Sequence, residues 1–287
     1  MQLSDSQVNS FESEGYIILE NCLSETEVEV LTKELPQLAK KDDLRWVEEA
    51  SRNVRTLYIP HTKSQVFNNL MRLPRLLKAV EQLLNSQVYI HQYTLHPKVA
   101  LTGEGFEWHS DAWYSRKEDN IPESQLVVVQ VFIDDATSDL CGPIVFLPGS
   151  HKEAISVDPY YKNYQRPQSD LVPNNRHSSE QWGFSMSIEQ KYRLKKELLA
   201  EFVDKYGIVS LKGKAGTVAF LHANLLHASS NNITPWDRKT LRITYNSVNN
   251  LPLHPEKLRS EPIVWHDFTP LLPVADDILL QPEHSPV

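Results

Sequence analysis

The chain has 287 residues and 33.0 kDa, with 29 Lys and Arg against 37 Asp and Glu, a formal charge of -8 and a pI near 5.8. That acidic balance, with no basic block to offset it, excludes nucleic acid as an expected partner. No uncharged apolar run reaches the roughly 18 residues of a helical membrane span.

Met1–Asp5 lacks the basic-then-apolar order of a secretory signal. Cys22 and Cys141 stand in no metal-like spacing and read as reduced, buried thiols. The expectation is a soluble cytoplasmic protein, monomer or homodimer, acting on a small molecule away from membranes. The length suits one domain over 1–287, helical over about 1–85 and all-β beyond.

Ser4 or Asp5 opens a short helix that Gly15 stops, with Val8 and Phe11 on one face. Tyr16–Leu19 is a strand. Ser24-Glu25-Thr26-Glu27 is a capping box for a helix carrying Val28, Leu31, Leu35 and Leu38 at helical spacing. Residues 40–65 are polar and mixed, and His61 within them reads as a surface residue. Leu70, Leu73, Leu77, Val80 and Leu84 form an apolar stripe that Pro74 divides into two helices. Gln87–Leu95 alternates as a strand. Gln125–Asp134 is β-branched and too short for a typical helix, so it reads as a buried strand, as does Gly142–Leu147. Residues 158–187 lack periodicity, and so long an irregular stretch reads as a lid over a site, with a plain surface excursion as the competing reading. A helix around Leu194–Val203 precedes strands near 208–211, 216–222 and 241–246. Helices first, then many short strands cut by Gly and Pro, predict a double-stranded β-helix: a cupin-like jelly roll, mainly β, with helices packed outside.

The chemistry gathers at Trp108-His109-Ser110-Asp111. On a strand His109 and Asp111 would share a face, because side chains alternate with period two. Two imidazoles and one carboxylate form the ligand set that leaves open positions on a non-haem Fe(II). Two downstream histidines, His222 and His227, compete for the third place. Arg238 follows His227 by eleven residues, a spacing that could return on the neighbouring strand. Its planar, permanently charged fork suits a carboxylate. By residue type alone, Lys98 is a solvated charge and Gln92 an ordinary strand residue, while Arg242 reads either as lying near the site or as the structural partner of an acidic neighbour.

His109-x-Asp111, the run Gly142–His151 and the segment Gly216–Arg238 together resemble the phytanoyl-CoA dioxygenase family of Fe(II)/2-oxoglutarate oxygenases. Within that family Asn231–Arg238 and Tyr245–Val248 are most similar to ectoine hydroxylases. The likeness extends to Arg52–Arg55, Val88–Gln92 and Asp267–Pro270, and covers most of the chain. It implies Fe(II) held by His109, Asp111 and His227, with 2-oxoglutarate and dioxygen as cosubstrates. It further implies 2-oxoglutarate contacts at Arg238, Lys98 and Phe106, and substrate contacts at Gln92, Trp113, Tyr114 and Thr240. The carboxylate of Asp111 implies hydroxylation, since related halogenases carry a small residue there. Two positions depart from the ectoine hydroxylases: Ser115 stands where they have Trp, and Thr240 where they have Asn. Both departures point away from ectoine towards another small polar metabolite, such as an amino acid, a zwitterion or a natural-product intermediate. The competing readings are a cupin-like metal enzyme working without 2-oxoglutarate and a non-catalytic small-molecule binding module.

Overall fold

Helix α1 (Asp5–Glu14) starts as its sequence predicts: Ser4 and Gln7 exchange capping bonds, and Gly15 ends it in the left-handed region at φ 84°. The computed structural model describes residues 2–38, 53–155, 192 and 194–281, with the backbone alone at 46–48. The segment 158–187, read as a lid, lies outside the described residues.

After β1 (Tyr16–Leu19), helix α2 (Glu25–Leu38) opens on the Ser24–Glu27 box, in which the Glu27 N–H donates to Ser24 Oγ and the Ser24 N–H to Glu27 Oε2. Two strands follow in the stretch taken as polar and irregular, β2 (Trp46–Glu48) and β3 (Val54–Tyr58). Helix α3 (Gln65–Leu70) is separated from α4 (Pro74–Leu84) where Pro74 takes the first turn of the new helix, a position at which its missing N–H costs nothing. The remaining elements are β4 (Val88–Lys98), β5 (Phe106–His109), α5 (Asp111–Lys117), β6 (Leu126–Phe132), β7 (Ile144–Phe146), α6 (Lys196–Tyr206), β8 (Val209–Ser210), β9 (Val218–His222), β10 (His227–Ser229) and β11 (Arg238–Ser247).

The strands form two antiparallel sheets. A seven-stranded sheet runs β1-β9-β6-β11-β4-β3-β2, and a four-stranded sheet runs β5-β10-β7-β8. This is the expected double-stranded β-helix, with the helices of the N-terminal part on the outside of the larger sheet. Alternation along the strands explains both faces. On β6, Val127, Val129 and Val131 join Ile243 and Tyr245 of β11 in a core that receives Phe67, Leu70, Leu76, Leu77 and Val80 of α3 and α4. Leu126, Val128 and Phe132 point the other way, into a second cluster between the sheets with Leu221 and Phe146.

A bulge sets the inner face of β4. Its register with β11 shifts between Thr244 and Tyr245, so that Thr244 pairs with Gln92 while Tyr245 pairs with Ile90. Ile90 and Tyr93 both lie in the outer core, which leaves His91 and Gln92 together on the inner side. An extra residue in one strand re-aims its neighbours in this way.

His61 is not on the surface. It is 6% exposed, stacked on Tyr93 at 5.3 Å and edge-on to Trp265 at 5.2 Å, with no hydrogen-bond partner on either ring nitrogen. The short helical turn Pro60–Thr62 folds it under the sheet, and the aromatic faces decide its place. Burial pushes its pKa down to about 4, with Asp267 opposing only in part. Between pH 6.5 and 4 the unfolded chain therefore binds a proton that the folded chain rejects. Stability is full above the unfolded value of about 6.5 and lost as pH falls. His61→Phe keeps the stacking and removes the titration. Urea unfolding at pH 7 and pH 5 should show the wild-type loss reduced by on the order of 1–2 kcal/mol in the variant.

Candidate metal and cosubstrate site

Strands β5 and β10 pair antiparallel with His109 directly opposite His227. Directly opposed residues point to the same face, and the two rings stand 4.2 Å apart, centroid to centroid. Asp111 reaches the same point by a different route from the one its spacing predicts. β5 ends at His109, Ser110 is an extended cap whose hydroxyl donates to the Ala223 carbonyl at 3.1 Å, and Asp111 is the first residue of α5. A strand-to-helix turn, not strand alternation, therefore brings the carboxylate beside the imidazoles. Asp111 Oδ1 lies 3.8 Å from His109 Nε2, and Oδ2 lies 3.8 Å from His227 Nε2. The three candidate donor atoms fall within 4.8 Å of one another.

The outer nitrogens fix which lone pairs are free. His109 Nδ1–H donates to the Glu107 carbonyl at 2.6 Å, and His227 Nδ1–H to the Leu225 carbonyl at 2.9 Å. Both Nε2 atoms are thereby left as acceptors facing Asp111. Burial, followed by the neighbouring His227, pushes His109 down to about 3. For Asp111 burial acts the other way, but Arg242 and the two histidines outweigh it and hold the carboxyl well below its usual range. Two imidazole nitrogens and an ionised carboxylate suit a divalent ion that prefers nitrogen and oxygen donors. His222 takes no part. Its Nδ1 accepts from the Asn224 N–H at 3.0 Å, and its ring faces His151 at 5.0 Å.

The far end of the cleft is cationic. β11 pairs with β4 so that Arg238 stands opposite Lys98, which places Arg238 in the larger sheet rather than on a strand next to β10. Both side chains are buried. Arg238 donates to the Gly142 carbonyl at 2.9 Å and to Thr240 Oγ1 at 3.0 Å, while its Nε has no partner. Burial lowers it only to about 10, so it stays charged at neutral pH. Lys98 Nζ donates to Ser229 Oγ at 2.9 Å and to the Ser230 carbonyl. Gly142 is required here: at φ 74° an added Cβ would sit 2.7 Å from Lys98 Cδ. Two buried cations, one with an orphaned donor, fit a carboxylate.

The other expected contacts divide. Phe106 lies under the Arg55 guanidinium at 4.0 Å and edge-on to His96 at 5.9 Å. Gln92 donates to the Ile263 carbonyl at 2.9 Å and faces Arg242 through its amide oxygen at 3.4 Å. Tyr114, three residues after Asp111 and so on its side of the helix, meets His109 edge-on at 6.4 Å. Trp113 packs in an apolar cluster with Leu147, Tyr192 and Leu226, against which Tyr114 also packs. Thr240, expected at the substrate, accepts from Arg238. Sequence reasoning missed Ser229, although it stands two residues beyond His227. It also assigned Arg242 to an acidic neighbour without seeing that the neighbour is Asp111.

The phytanoyl-CoA dioxygenase (PhyH) family profile matches residues 11–240. An ectoine dioxygenase from Bordetella bronchiseptica is 33% identical over 277 residues, covering 93% of this chain and 82% of the relative. An L-proline trans-4-hydroxylase from Streptomyces griseoviridis is also 33% identical, over 278 residues, covering 96% and 98%. The crystal structure of EctD from S. alaskensis with 2-oxoglutarate and 5-hydroxyectoine superposes with a TM-score of 0.76 at 30% identity, covering 95% of this chain and 87% of that one.

His227→Ala should weaken Fe(II) binding by more than the roughly 10–100-fold that loss of an outer hydrogen-bond partner costs, whereas His222→Ala should leave it unchanged. Anaerobic Fe(II) titration of both variants checks this, and the reverse pattern would move the third donor to His222.

Proposed function

Because the chain belongs to the phytanoyl-CoA dioxygenase family and is an Fe(II)/2-oxoglutarate-dependent dioxygenase, we propose that it hydroxylates an aliphatic C–H of a small polar metabolite, an amino acid or comparable zwitterion. The observation that carries this reading is the convergence of His109, Asp111 and His227 at one point, with Lys98 bonded to Ser229, two residues beyond His227, and Arg238 opposite Lys98 on the β4–β11 ladder.

In this reading His109 Nε2, His227 Nε2 and Asp111 hold the iron. Arg238 and Lys98 grip the distal carboxylate of 2-oxoglutarate, and Thr240 and the Gly142 carbonyl hold the Arg238 fork in place. Phe106, clamped by Arg55, forms a wall of the cosubstrate site. Bound iron supplies the activation of dioxygen coupled to decarboxylation of 2-oxoglutarate to succinate and carbon dioxide; the protein positions the C–H and excludes water. Tyr114 and Gln92 line the side on which substrate is placed. The relatives named for ectoine and L-proline support small, charged, ring-sized substrates. A metal enzyme without 2-oxoglutarate would have no use for two buried cations at the far end. A binding module would have no use for an intact donor set.

The test is a screen of free amino acids and zwitterions with Fe(II), 2-oxoglutarate and oxygen, reading substrate-stimulated succinate and a product heavier by one oxygen. Succinate without any such product over the whole panel would count against the substrate class. Arg238→Met should raise the KM for 2-oxoglutarate about 100-fold, the scale of a lost bidentate charged contact, with iron affinity unchanged.

A further inference from the structure

We propose that Arg242 is the specificity-determining residue of this enzyme, and that it binds the carboxylate of an amino-acid substrate at the iron end of the cleft. The inference rests on the reading of the site given above and deepens it by naming the group that the substrate must carry.

Arg238, Thr240 and Arg242 alternate on the inner face of β11, with Lys98, His96 and Thr94 as their register partners on β4. The two arginines are four residues apart, about 13 Å along an extended strand, and address opposite ends of the cleft. Arg238 is engaged with Gly142 and Thr240, whereas Arg242 lies at Asp111 and Gln92. One five-carbon diacid does not occupy both.

Arg242 is held but not consumed. Its Nη2 lies against Asp111 Oδ2 as an ion pair that lacks hydrogen-bond alignment, and its Nη1 meets Gln92 Oε1 at the long distance of 3.4 Å. Gln92 is itself oriented by the Ile263 carbonyl. Next along the same face, Thr244 is 1% exposed and its hydroxyl has no partner. A half-buried guanidinium that pairs with Asp111 and makes one long contact to Gln92, beside an orphaned hydroxyl, is a donor arrangement that a second carboxylate completes.

Charge points the same way. Fe(II) and 2-oxoglutarate would cancel in charge, and Asp111 supplies one negative charge beside Arg242. Among the described residues the other nearby cations are already matched, Arg55 by Glu104 at 3.1 Å and Arg259 by Asp119. A substrate carboxylate placed at Arg242 supplies a local negative charge there, which the corresponding amide does not.

The alternative role, holding Asp111 in place for iron, is separated by comparing acids with their amides. In the anaerobic holoenzyme with saturating Fe(II) and 2-oxoglutarate, the visible metal-to-ligand charge-transfer band is titrated with L-proline and L-prolinamide, then with the same pairs of pipecolic acid and leucine. The wild type should bind at least one acid about 10–100-fold more tightly than its amide. Arg242→Gln should lower that ratio to near one, and Arg242→Lys, which keeps the charge but not the fork, should leave it intermediate. Thermal unfolding of each variant checks that it is folded. Failure of every acid to perturb the band, or an unchanged acid-to-amide ratio in Arg242→Gln, overturns the proposal. A merely positioning role would weaken acid and amide alike. No band in the wild type with Fe(II) and 2-oxoglutarate would instead sink the underlying reading of the site.

Discussion

The pairing of β10 with β5 is the constraint on which the rest of the site depends. It is a short ladder in the smaller sheet, and its one consequence is to set His227 opposite His109. Side chains alternate, so a slip of one residue would turn His227 to the far face and present Ala228 in its place. Both flanks guard against such a slip. On the other edge of β10, β7 pairs His227 with Phe146, whose buried ring packs against Tyr16 at 4.6 Å. On the β5 side, Gly105 accepts an approach of the Ser229 carbonyl that would lie 2.4 Å from any Cβ. The metal geometry is therefore held by packing and by a glycine some distance from the ligands.

The larger sheet contributes the second half of the site by an inversion of the usual pattern. A strand that faces a sandwich interior ordinarily turns its apolar residues inward. On β4 and β11 the inward positions are Gln92, Thr94, His96 and Lys98, and Arg238, Thr240, Arg242 and Thr244, while the apolar residues Tyr93, Leu95, Leu241 and Ile243 turn outward to the helices. The interior is apolar only towards β6 and β9, where Val128, Phe132 and Leu221 fill it. The helices thus do more than cover a surface: they give β4 and β11 a hydrophobic face elsewhere and free the inner one for polar work.

This division explains what could be read in the sequence. The helices and buried strands were legible because their burial follows from local periodicity and punctuation: Ser4 and Gly15 bound α1, Pro74 separates α3 from α4, and the valines of β6 admit no solvent face. The donor set was legible as residue types, and the choice of His227 over His222 came from resemblance rather than from spacing. What escaped was set by tertiary pairing. Nothing local distinguishes His61 from a surface histidine before Tyr93 and Trp265 enclose it. Trp113 and Tyr114 both meet one apolar cluster, and only the start of a helix at Asp111 also turns Tyr114 to His109. Thr240 and Arg242 share a face of one strand, but only the register with β4 shows that the first supports Arg238 and the second reaches Asp111.

Burying Lys98 and Arg238, with Arg242 half-buried against Asp111, costs folding free energy, because desolvated charges are compensated only by the groups they meet. The backbone carbonyls of Gly142 and Ser230 and the hydroxyls of Ser229 and Thr240 recover part of that cost for the first two. They also limit where an anion can settle at Arg238, whose Nε they leave unpartnered. Arg238 keeps its Nε unpartnered, and Arg242 keeps a poorly aligned Nη2. The polar interior is thus incomplete in the absence of its small molecules, and ligands of opposite charge complete it. Such a site gains selectivity from the asymmetry between a paired and an unpaired buried ion: a ligand without the required carboxylate forfeits an attraction and also leaves a cation stranded in a poorly solvated cleft.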